Sequence, residues 1–295
     1  MPNVLKAAFD SKIFSCLFLL ALYQLFASTP FKAEIKAEKV TTDTQTDLVS
    51  KTPAINSLQM KDFLETGTLV SFEDTELGIT QPQRITLAKN NLQIRAIFKS
   101  FSTKIKITKG RSRTKQLNSA DRFENDAAAY HLDQILEMNM VPTTIIRTIN
   151  NNEGAVQAWV ENSIVLKDIY ESKSTALEVC PFKKQQAMMD VFDILIHNDD
   201  RNLGNVLYTL EDCKLWMIDH SRAFRIKNTA PRNLKSITIR LSEEFAKKLN
   251  NLDYHIIHKH LGDFITRSQI RSLLYRRDLI LNHWEKSGKL DFLAG

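Results

Sequence analysis

The feature that most constrains the fold of this 295-residue chain is a polar segment, HNDDRNLGNVLYTLEDCKLWMIDHSRAF, which runs from His197 to Phe224. An amphipathic helical pattern ends just before it, and two short apolar runs, NVLYTL and KLWMID, lie inside it. Asp200 and Asn205 are therefore predicted on a loop between a helix and a strand, and Asp219 at the end of the next strand. The fold must bring together two acidic sites joined by a short β-hairpin.

The spacing of these side chains suits phosphoryl transfer. A carboxylate at Asp200 can orient an acceptor hydroxyl and take its proton, and the amide of Asn205, five residues on, can reach a metal ion bound to phosphates. Asp219 offers a second oxygen ligand for Mg²⁺ or Mn²⁺. Lys99 ends an apolar strand upstream, where an ammonium is costly to bury unless it meets phosphate or carboxylate. The competing interpretation is that the acidic residues only cap a turn and a strand.

The remaining pattern divides the chain into a strand-rich part and a helical part. The runs TLVSF, RITLA and LQIRAIF between Gly67 and Phe98 predict small antiparallel strands. A helix is predicted over Ala120–Met138, followed by a hairpin of TTIIRTI and AVQAWV. From Ser242 to about Lys286 the pattern is helical, with a break near Gly262. This order predicts an α+β, two-lobed, kinase-like fold with a small strand-rich N-terminal lobe (residues 60–162) and a helical C-terminal lobe (residues 163–295).

The N-terminal residues are predicted to stand apart from that fold. Lys6 and Lys12 precede a 14-residue apolar run over residues 13–26, which is shorter than the roughly 20 residues of a membrane span. Residues 1–29 are therefore predicted to be a signal peptide or signal anchor, and residues 30–59 a polar linker. This predicts an exported domain, with membrane association through the apolar run. Retention in the cytoplasm is the alternative.

Composition and charge restrict the partners. Lys plus Arg total 40 and Asp plus Glu total 34, a formal charge of +6 that does not predict nucleic-acid binding. The three cysteines show no CxxC spacing for zinc, although in an oxidising compartment Cys180 and Cys213 could pair rather than remain buried thiols. An acid-free basic stretch from Arg222 to Arg240 predicts an acidic, phosphorylated or anionic-lipid acceptor, with a solvated loop as the alternative.

The sequence also resembles a known group of enzymes. NDDRNLGNVL followed by LWMIDHSRAF resembles the core of atypical kinases: the phosphatidylinositol 3-/4-kinases, the secretory-pathway protein and sugar kinases, and the bacterial HipA type. DAAAYHLDQILEMNMVP, GAVQAWVE, IDHSRAF and RRDLIL, in that order, look like bacterial kinase-like proteins related to the secretory-pathway kinases. The resemblance covers about residues 60 to 290.

The resemblance implies a role for each matching position. Asp200 is implied to be the catalytic base, Asn205 and Asp219 the metal ligands, and Lys99 the lysine that binds the α- and β-phosphates of ATP. These roles agree with the spacing argument, and they imply that the chain binds ATP with Mg²⁺ or Mn²⁺ and transfers phosphate to a hydroxyl acceptor.

Two further positions complete the implied cofactor site. Asp126 stands where the related kinases usually have the helix Glu that pairs with the lysine, and residues 159–162, with Glu161 among them, fall where the inter-lobe hinge contacts adenine through its backbone. The shorter arm of Asp126 favours an alternative, a pseudokinase or nucleotide-binding scaffold. A second alternative is transfer of AMP on the same fold.

Overall fold

The described part of the chain contains two lobes that follow the predicted order. The computed structural model of the chain describes residues 56–74, 82–100, 121–179, 182–230 and 238–287. Its strands are β1 (Thr68–Asp74), β2 (Gln83–Lys89), β3 (Leu92–Lys99), β4 (Thr144–Ile149), β5 (Asn152–Ala158), β6 (Ser163–Val165), β7 (Val206–Thr209) and β8 (Lys214–Met217). Its helices are α1 (Ser57–Thr66), α2 (Phe123–Ile135), α3 (Leu166–Glu171), α4 (Ala176–Val179), α5 (Lys183–Ile196), α6 (Glu243–Asn250), α7 (Tyr254–Leu261) and α8 (Arg267–Ser287).

The N-terminal lobe is a five-stranded antiparallel sheet in the order β1-β2-β3-β5-β4. Two of its hairpins turn on adjacent asparagines, Asn90–Asn91 and Asn150–Asn151, all four with positive φ between 50° and 63°. Two-residue hairpin turns need this left-handed backbone, which Asn tolerates better than most residues. The predicted strands and the hairpin after α2 are therefore confirmed, with bounds that differ by up to three residues.

One face of this sheet is covered by α1. Phe63 and Leu64 on α1 are buried against alternating residues of the strands, among them Ile85, Leu87 and Phe98. This alternation leaves the other residues of β3, including Lys99, on the opposite face. The packing of α1 against the sheet thus determines which side of the lobe carries the charged residues.

The C-terminal lobe is helical and carries a small sheet in the order β6-β7-β8. Val206, Tyr208, Leu215 and Met217 of this sheet are buried in a core shared with α5 and α8. The helix α5 ends at His197, whose left-handed backbone (φ 51°) directs the chain into the polar loop that follows. The main chain of β8 is held to the N-terminal lobe, since Met217 N donates to Met140 O at 2.8 Å.

The structure differs from the sequence predictions in three places. Residues 57–59, predicted as linker, form the first turn of α1, which Asn56 caps by accepting from Gln59 N. The C-terminal helical pattern has a second break, over residues 251–253, where Asp253 caps α7. The helix predicted over residues 120–138 is shorter by three residues at each end, since it begins at Phe123 and ends at Ile135. At α1 and α7 a side-chain cap, which apolar periodicity does not reveal, determines where the helix begins.

Two predictions, the N-terminal signal segment and the cysteine pairing, involve residues outside the described ranges. The signal segment, its apolar run and most of the linker lie outside the described residues. Within the described ranges, no helix is both long enough and apolar enough to cross a bilayer. Cys213, in the turn between β7 and β8, is disulfide-bonded, and its partner lies outside the described residues.

Candidate active site

Lys99 ends β3 and binds two carboxylates that come from different lobes. Its Nζ lies 3.3 Å from Asp126 Oδ2 on α2 and 3.0 Å from Asp219 Oδ1 just after β8. Burial by itself would lower the pKa of Lys99, but the charges of Asp126 and Asp219 raise it above its ordinary value. Lys99 is therefore a charged ammonium, and the shorter arm of Asp126 does not prevent the pair.

A glycine on the neighbouring strand lets Lys99 reach this position. Gly154 lies on β5 against the end of β3, and a Cβ at this residue would come within 2.5 Å of the Lys99 carbonyl oxygen and 2.6 Å of the Phe98 ring. Only a residue without a side chain allows the two strands to pair this closely here. The end of β3 is thereby held in the sheet up to Lys99.

The two carboxylates around Lys99 differ in their surroundings. Asp126 is fully buried, and burial raises its pKa although Lys99 and the His220 backbone N–H, which donates to it at 2.8 Å, oppose the rise. Asp219 is 35% exposed; burial would raise its pKa, but Lys99 holds it below the ordinary value. Asp219 therefore remains an anionic oxygen donor that faces the cleft, as a metal ligand must.

The backbone at Asp219 is unusual for a residue with a side chain. Its φ is 59°, in the left-handed region that most non-glycine residues avoid. The conformation is held by bonds on both sides, from Ile218 N to Asn205 O at 3.2 Å and from Ser221 Oγ to Asp219 Oδ1 at 3.3 Å. Such strain persists only where neighbouring groups enforce it, and it often marks a functional site.

Two adjacent aspartates in the loop after α5 have separate roles. Asp199 is engaged by Arg225 at 3.3 Å and Lys227 at 3.8 Å, so it anchors the chain that follows β8. Asp200 is 34% exposed, and one of its oxygens, Oδ2, contacts Arg222 Nη1 at 3.2 Å. Of the two, Asp200 is the carboxylate with an oxygen available to an acceptor.

Asn205 is oriented by the same loop. Its Nδ2 donates to the Asp200 carbonyl oxygen at 3.1 Å, which directs the amide oxygen Oδ1 away from the loop backbone. Asn205 Oδ1 and the Asp219 carboxylate are both hard oxygen donors, which Mg²⁺ and Mn²⁺ prefer. Among the described residues no cluster of three His, Cys, Asp or Glu side chains forms a metal site.

Arg201 holds the site together, although the sequence analysis assigned it no role. Its guanidinium is bidentate to the buried carboxylate of Asp193 on α5, at 2.9 and 3.2 Å. It also donates to the carbonyl oxygens of Asn205 at 2.7 Å and Ile218 at 2.8 Å, and contacts His220 Nε2 at 2.9 Å. The sequence signal was present as the DR dipeptide at the start of the loop.

The connection between the lobes is polar at the predicted hinge. The Glu161 carboxylate is bound bidentately by Arg95 of β3, with Arg95 Nε 2.9 Å from Oε1. The guanidinium groups of Arg84 and Arg95 lie 4.9 and 5.0 Å from the centre of the Trp159 ring. The Glu161 side chain is thus engaged within the protein, and a backbone contact of this segment with adenine stays a prediction.

The basic stretch after Asp219 is largely neutralised where it is described. Arg222 binds Asp121 through Nε at 2.7 Å as well as Asp200, and Arg225 and Lys227 bind Asp199. Three cations therefore face three carboxylates. These residues supply little excess positive charge for an acidic acceptor, so the acceptor's charge remains a prediction.

Comparison with known proteins agrees with this architecture. No family model matches the sequence, and no curated protein matches it. The Golgi casein kinase is similar in structure at 14% identity and a TM-score of 0.54, over 81% of this chain and 76% of that one. A second Golgi casein kinase structure, with Mn/ADP bound, matches with a TM-score of 0.51 and 14% identity, over 77% of this chain and 75% of that one.

A third structural relative gives the same result. Hydra Fam20, solved with a sugar, matches at 14% identity and a TM-score of 0.53, over 78% of this chain and 88% of that one. Identity at this level establishes the fold and leaves the chemistry to the residues themselves. The strand-rich lobe, the helical lobe and these relatives together give the chain an atypical kinase-like fold, as the sequence resemblance implied.

Proposed function

We propose that this chain is a phosphotransferase that moves the γ-phosphate of ATP to a hydroxyl group of an acceptor, using Mg²⁺ or Mn²⁺. One observation carries the proposal: the Lys99 ammonium joins Asp126 and Asp219 at the cleft face of the sheet. A buried lysine with two carboxylates can exchange one of them for phosphate when a metal ion takes over that carboxylate. The Golgi casein kinase with Mn/ADP bound supports the nucleotide and the metal.

Each residue then has a defined task. Asp200 accepts the proton of the acceptor hydroxyl, whose oxygen attacks the γ-phosphorus while the bond to the bridging oxygen breaks and ADP leaves. Asn205 and Asp219 would hold the metal ion, which neutralises charge on the phosphate oxygens. Lys99 holds the α- and β-phosphates, and Asp126 keeps its ammonium in place.

The test is label transfer by the purified full chain with γ-labelled ATP and Mn²⁺ or Mg²⁺. ATP turnover or labelled product should fall by about 10²–10³-fold in Asp200→Asn and Asp219→Asn. Asp278→Asn, at an exposed position on α8, is the matched control and should leave turnover unchanged. Turnover that survives in both active-site variants contradicts the proposal.

The same assay separates the alternatives that the sequence left open. Label that transfers from α-labelled but not γ-labelled ATP identifies AMP transfer. Metal-dependent ATP binding without turnover, in wild type as in the variants, identifies a scaffold. The scaffold hypothesis rested on the short arm of Asp126, and the Lys99–Asp126 contact at 3.3 Å supports the kinase proposal over it.

We also propose that the domain is exported. The apolar run with preceding lysines motivates this, and the disulfide at Cys213 supports it because disulfides persist in oxidising compartments. Fusion of residues 1–35 to a reporter that is active only outside the cytoplasm tests it directly. An active fusion is expected; an inactive one means that the domain stays in the cytoplasm.

A further inference from the structure

A cavity of about 620 Å³ is lined in part by residues 159–162 of the predicted hinge, but by none of the side chains proposed for catalysis. Its walls come from α1, the C-terminal half of α2, the loop between α2 and β4, the β5–β6 connection and the β7–β8 hairpin. Lys99, Asp126, Asp200, Asn205 and Asp219 do not line it. Its size is that of a pocket for a small molecule.

Hydrogen bonds hold two walls of this cavity in place. The buried Asp133 carboxylate accepts from Met140 N at 2.8 Å and Val141 N at 3.2 Å, which fixes the loop between α2 and β4. Gln185 of α5 donates to Cys213 O at 2.7 Å and accepts from Leu215 N at 2.8 Å, which fixes the β7–β8 turn. A pocket with such walls needs little ordering when a ligand binds.

Three aromatic side chains line the cavity: Tyr130, Trp159 and Trp216. Trp216 Nε1 donates to Thr209 Oγ1 at 3.3 Å, which fixes the plane of the indole ring. Aromatic walls favour a ligand with a flat ring, because offset stacked rings gain energy beyond simple burial.

Lys214 is the only cation among the described residues that line the cavity. Its Nζ lies 3.5 Å from the centre of the Trp216 ring, and among the described residues no carboxylate lies within 4.0 Å of it. Burial lowers the pKa of Lys214, although Asp212 and Asp133 act in the opposite direction. A half-buried ammonium without an ion pair is the group that an anionic ligand would satisfy.

The acidic residues of the lining are mostly engaged elsewhere. Glu161 is bound by Arg95, and Asp212 accepts from Thr209 Oγ1. Glu211 is exposed at the rim, where solvent screens its charge. Among the described residues, the cavity therefore presents three aromatic side chains and one ammonium that no carboxylate contacts within 4.0 Å.

We infer that this cavity binds a small organic anion with a planar ring, whose ring lies among the aromatic walls and whose anionic group meets Lys214. The occupant would also contact Tyr130 and Gln134, which follow Asp126 by one and two turns of α2. Ligand binding is thereby connected to the helix that positions the Lys99 ammonium. The inference does not depend on the proposed phosphotransfer.

Titration calorimetry of the full chain with naphthalene-2-sulfonate, and with the neutral naphthalene-2-sulfonamide, tests the inference. We expect saturable one-site binding of the sulfonate and at least tenfold weaker binding of the sulfonamide. Lys214→Met keeps an apolar stem against Trp216 but removes the charge, and it should weaken sulfonate binding at least tenfold. Lys214→Arg should restore most of it, which guards against a variant that merely misfolds.

Two controls separate this cavity from other sites. Lys247→Met removes an exposed lysine of α6 that lines a separate cavity of about 420 Å³, and it should leave binding unchanged. The N-terminal apolar run is the same in every variant, so its own binding cancels in the comparison. Sulfonate binding that is unaffected by Lys214→Met, or that ADP with Mn²⁺ displaces competitively, overturns the inference.

Discussion

Two cations near the cleft, Arg201 and Lys99, are both buried, yet their surroundings differ. The Arg201 side chain is 6% exposed and Asp193 beside it 1%, with a bidentate contact at 2.9 and 3.2 Å. The carbonyl oxygens of Asn205 and Ile218, together with His220 Nε2, occupy its remaining donors. Lys99 is 12% exposed, meets its two carboxylates at 3.0 to 3.4 Å, and lies beside the partly exposed Asp219.

The comparison indicates that Arg201 stabilises the structure of the site, whereas Lys99 supplies the positive charge that can act on a phosphate. A planar guanidinium with every donor directed at a fixed acceptor has no reason to move, and it holds the loop and β8 in register. The Lys99 ammonium lies between two carboxylates, and one of them, Asp219, is partly exposed to the cleft. Lys99 can therefore bind a phosphate in place of that carboxylate. Arg201 should therefore matter mainly for stability, and the Lys99 cluster mainly for chemistry.

The largest expected effect comes from replacing Arg201, the cation that stabilises the structure of the site. Arg201→Met leaves Asp193 buried without a counter-charge, which should lower the free energy of unfolding by about 3–5 kcal/mol. Urea denaturation followed by circular dichroism measures it. Arg271→Met, at an exposed position of α8, is the control and should change stability by no more than about 0.5 kcal/mol. A small effect of Arg201→Met would remove the distinction between the two cations.

The second effect separates chemistry from stability in the Lys99 cluster. Asp219→Asn should reduce ATP turnover by about 10²–10³-fold, since one metal-directed carboxylate is lost. Stability should change by about 1 kcal/mol or less, because Asp126 still neutralises Lys99. Turnover and urea midpoint are measured on the same preparation. A large loss of stability would mean that Asp219 stabilises the fold, as Arg201 does.

Asp133, a buried carboxyl group that no cation contacts among the described residues, extends the comparison to the pH dependence of stability. Burial raises the pKa of Asp133 to about 7, above its unfolded value, so its contribution to stability is present at low pH and is lost as the pH rises to about 7. Between pH 5 and 7.5 the wild type should lose about 2 kcal/mol more than Asp133→Asn. The amide oxygen can still accept from Met140 N and Val141 N. Parallel pH profiles of the two proteins would contradict this assignment.

The smallest effect is expected for the exposed ion pair at the hinge. Glu161→Gln breaks the pair with Arg95, and because both side chains are exposed, stability should change by about 0.5 kcal/mol or less. Affinity for ATP with Mn²⁺, measured by titration calorimetry, should be unchanged if the hinge contacts adenine through its backbone. A marked loss of affinity would assign a direct role to the Glu161 side chain.

Part of this site was predictable from local sequence. The spacing of Asp200 and Asn205 and the strand end before Asp219 follow from apolar runs and turn residues, which act over a few neighbours. The hairpin turns at Asn90–Asn91 and Asn150–Asn151 depend on equally local properties of the chain. Local pattern also favoured an amphipathic helix up to His197, which α5 confirms.

Other features depend on contacts between distant segments. Arg276 lies within the RRDLIL motif and looks like a surface residue, but it is fully buried and donates to Leu195 O at 2.9 Å and Arg225 O at 3.1 Å. Burial without a carboxylate lowers the pKa of Arg276 to about 9. Helical periodicity could not predict this, because a charged residue normally occupies the solvent face.

The sequence by itself determined the order of strands and helices, the hairpin turns and the polar loop with its acidic and amide groups, since these depend on neighbours along the chain. Only the tertiary structure decided that Asp219 joins Asp126 at Lys99, that Arg201 ties Asn205 in the loop to Ile218 just after β8, and that Lys214 lines a cavity. These contacts join residues up to 120 positions apart, and their energies depend on burial and distance, which no local pattern encodes.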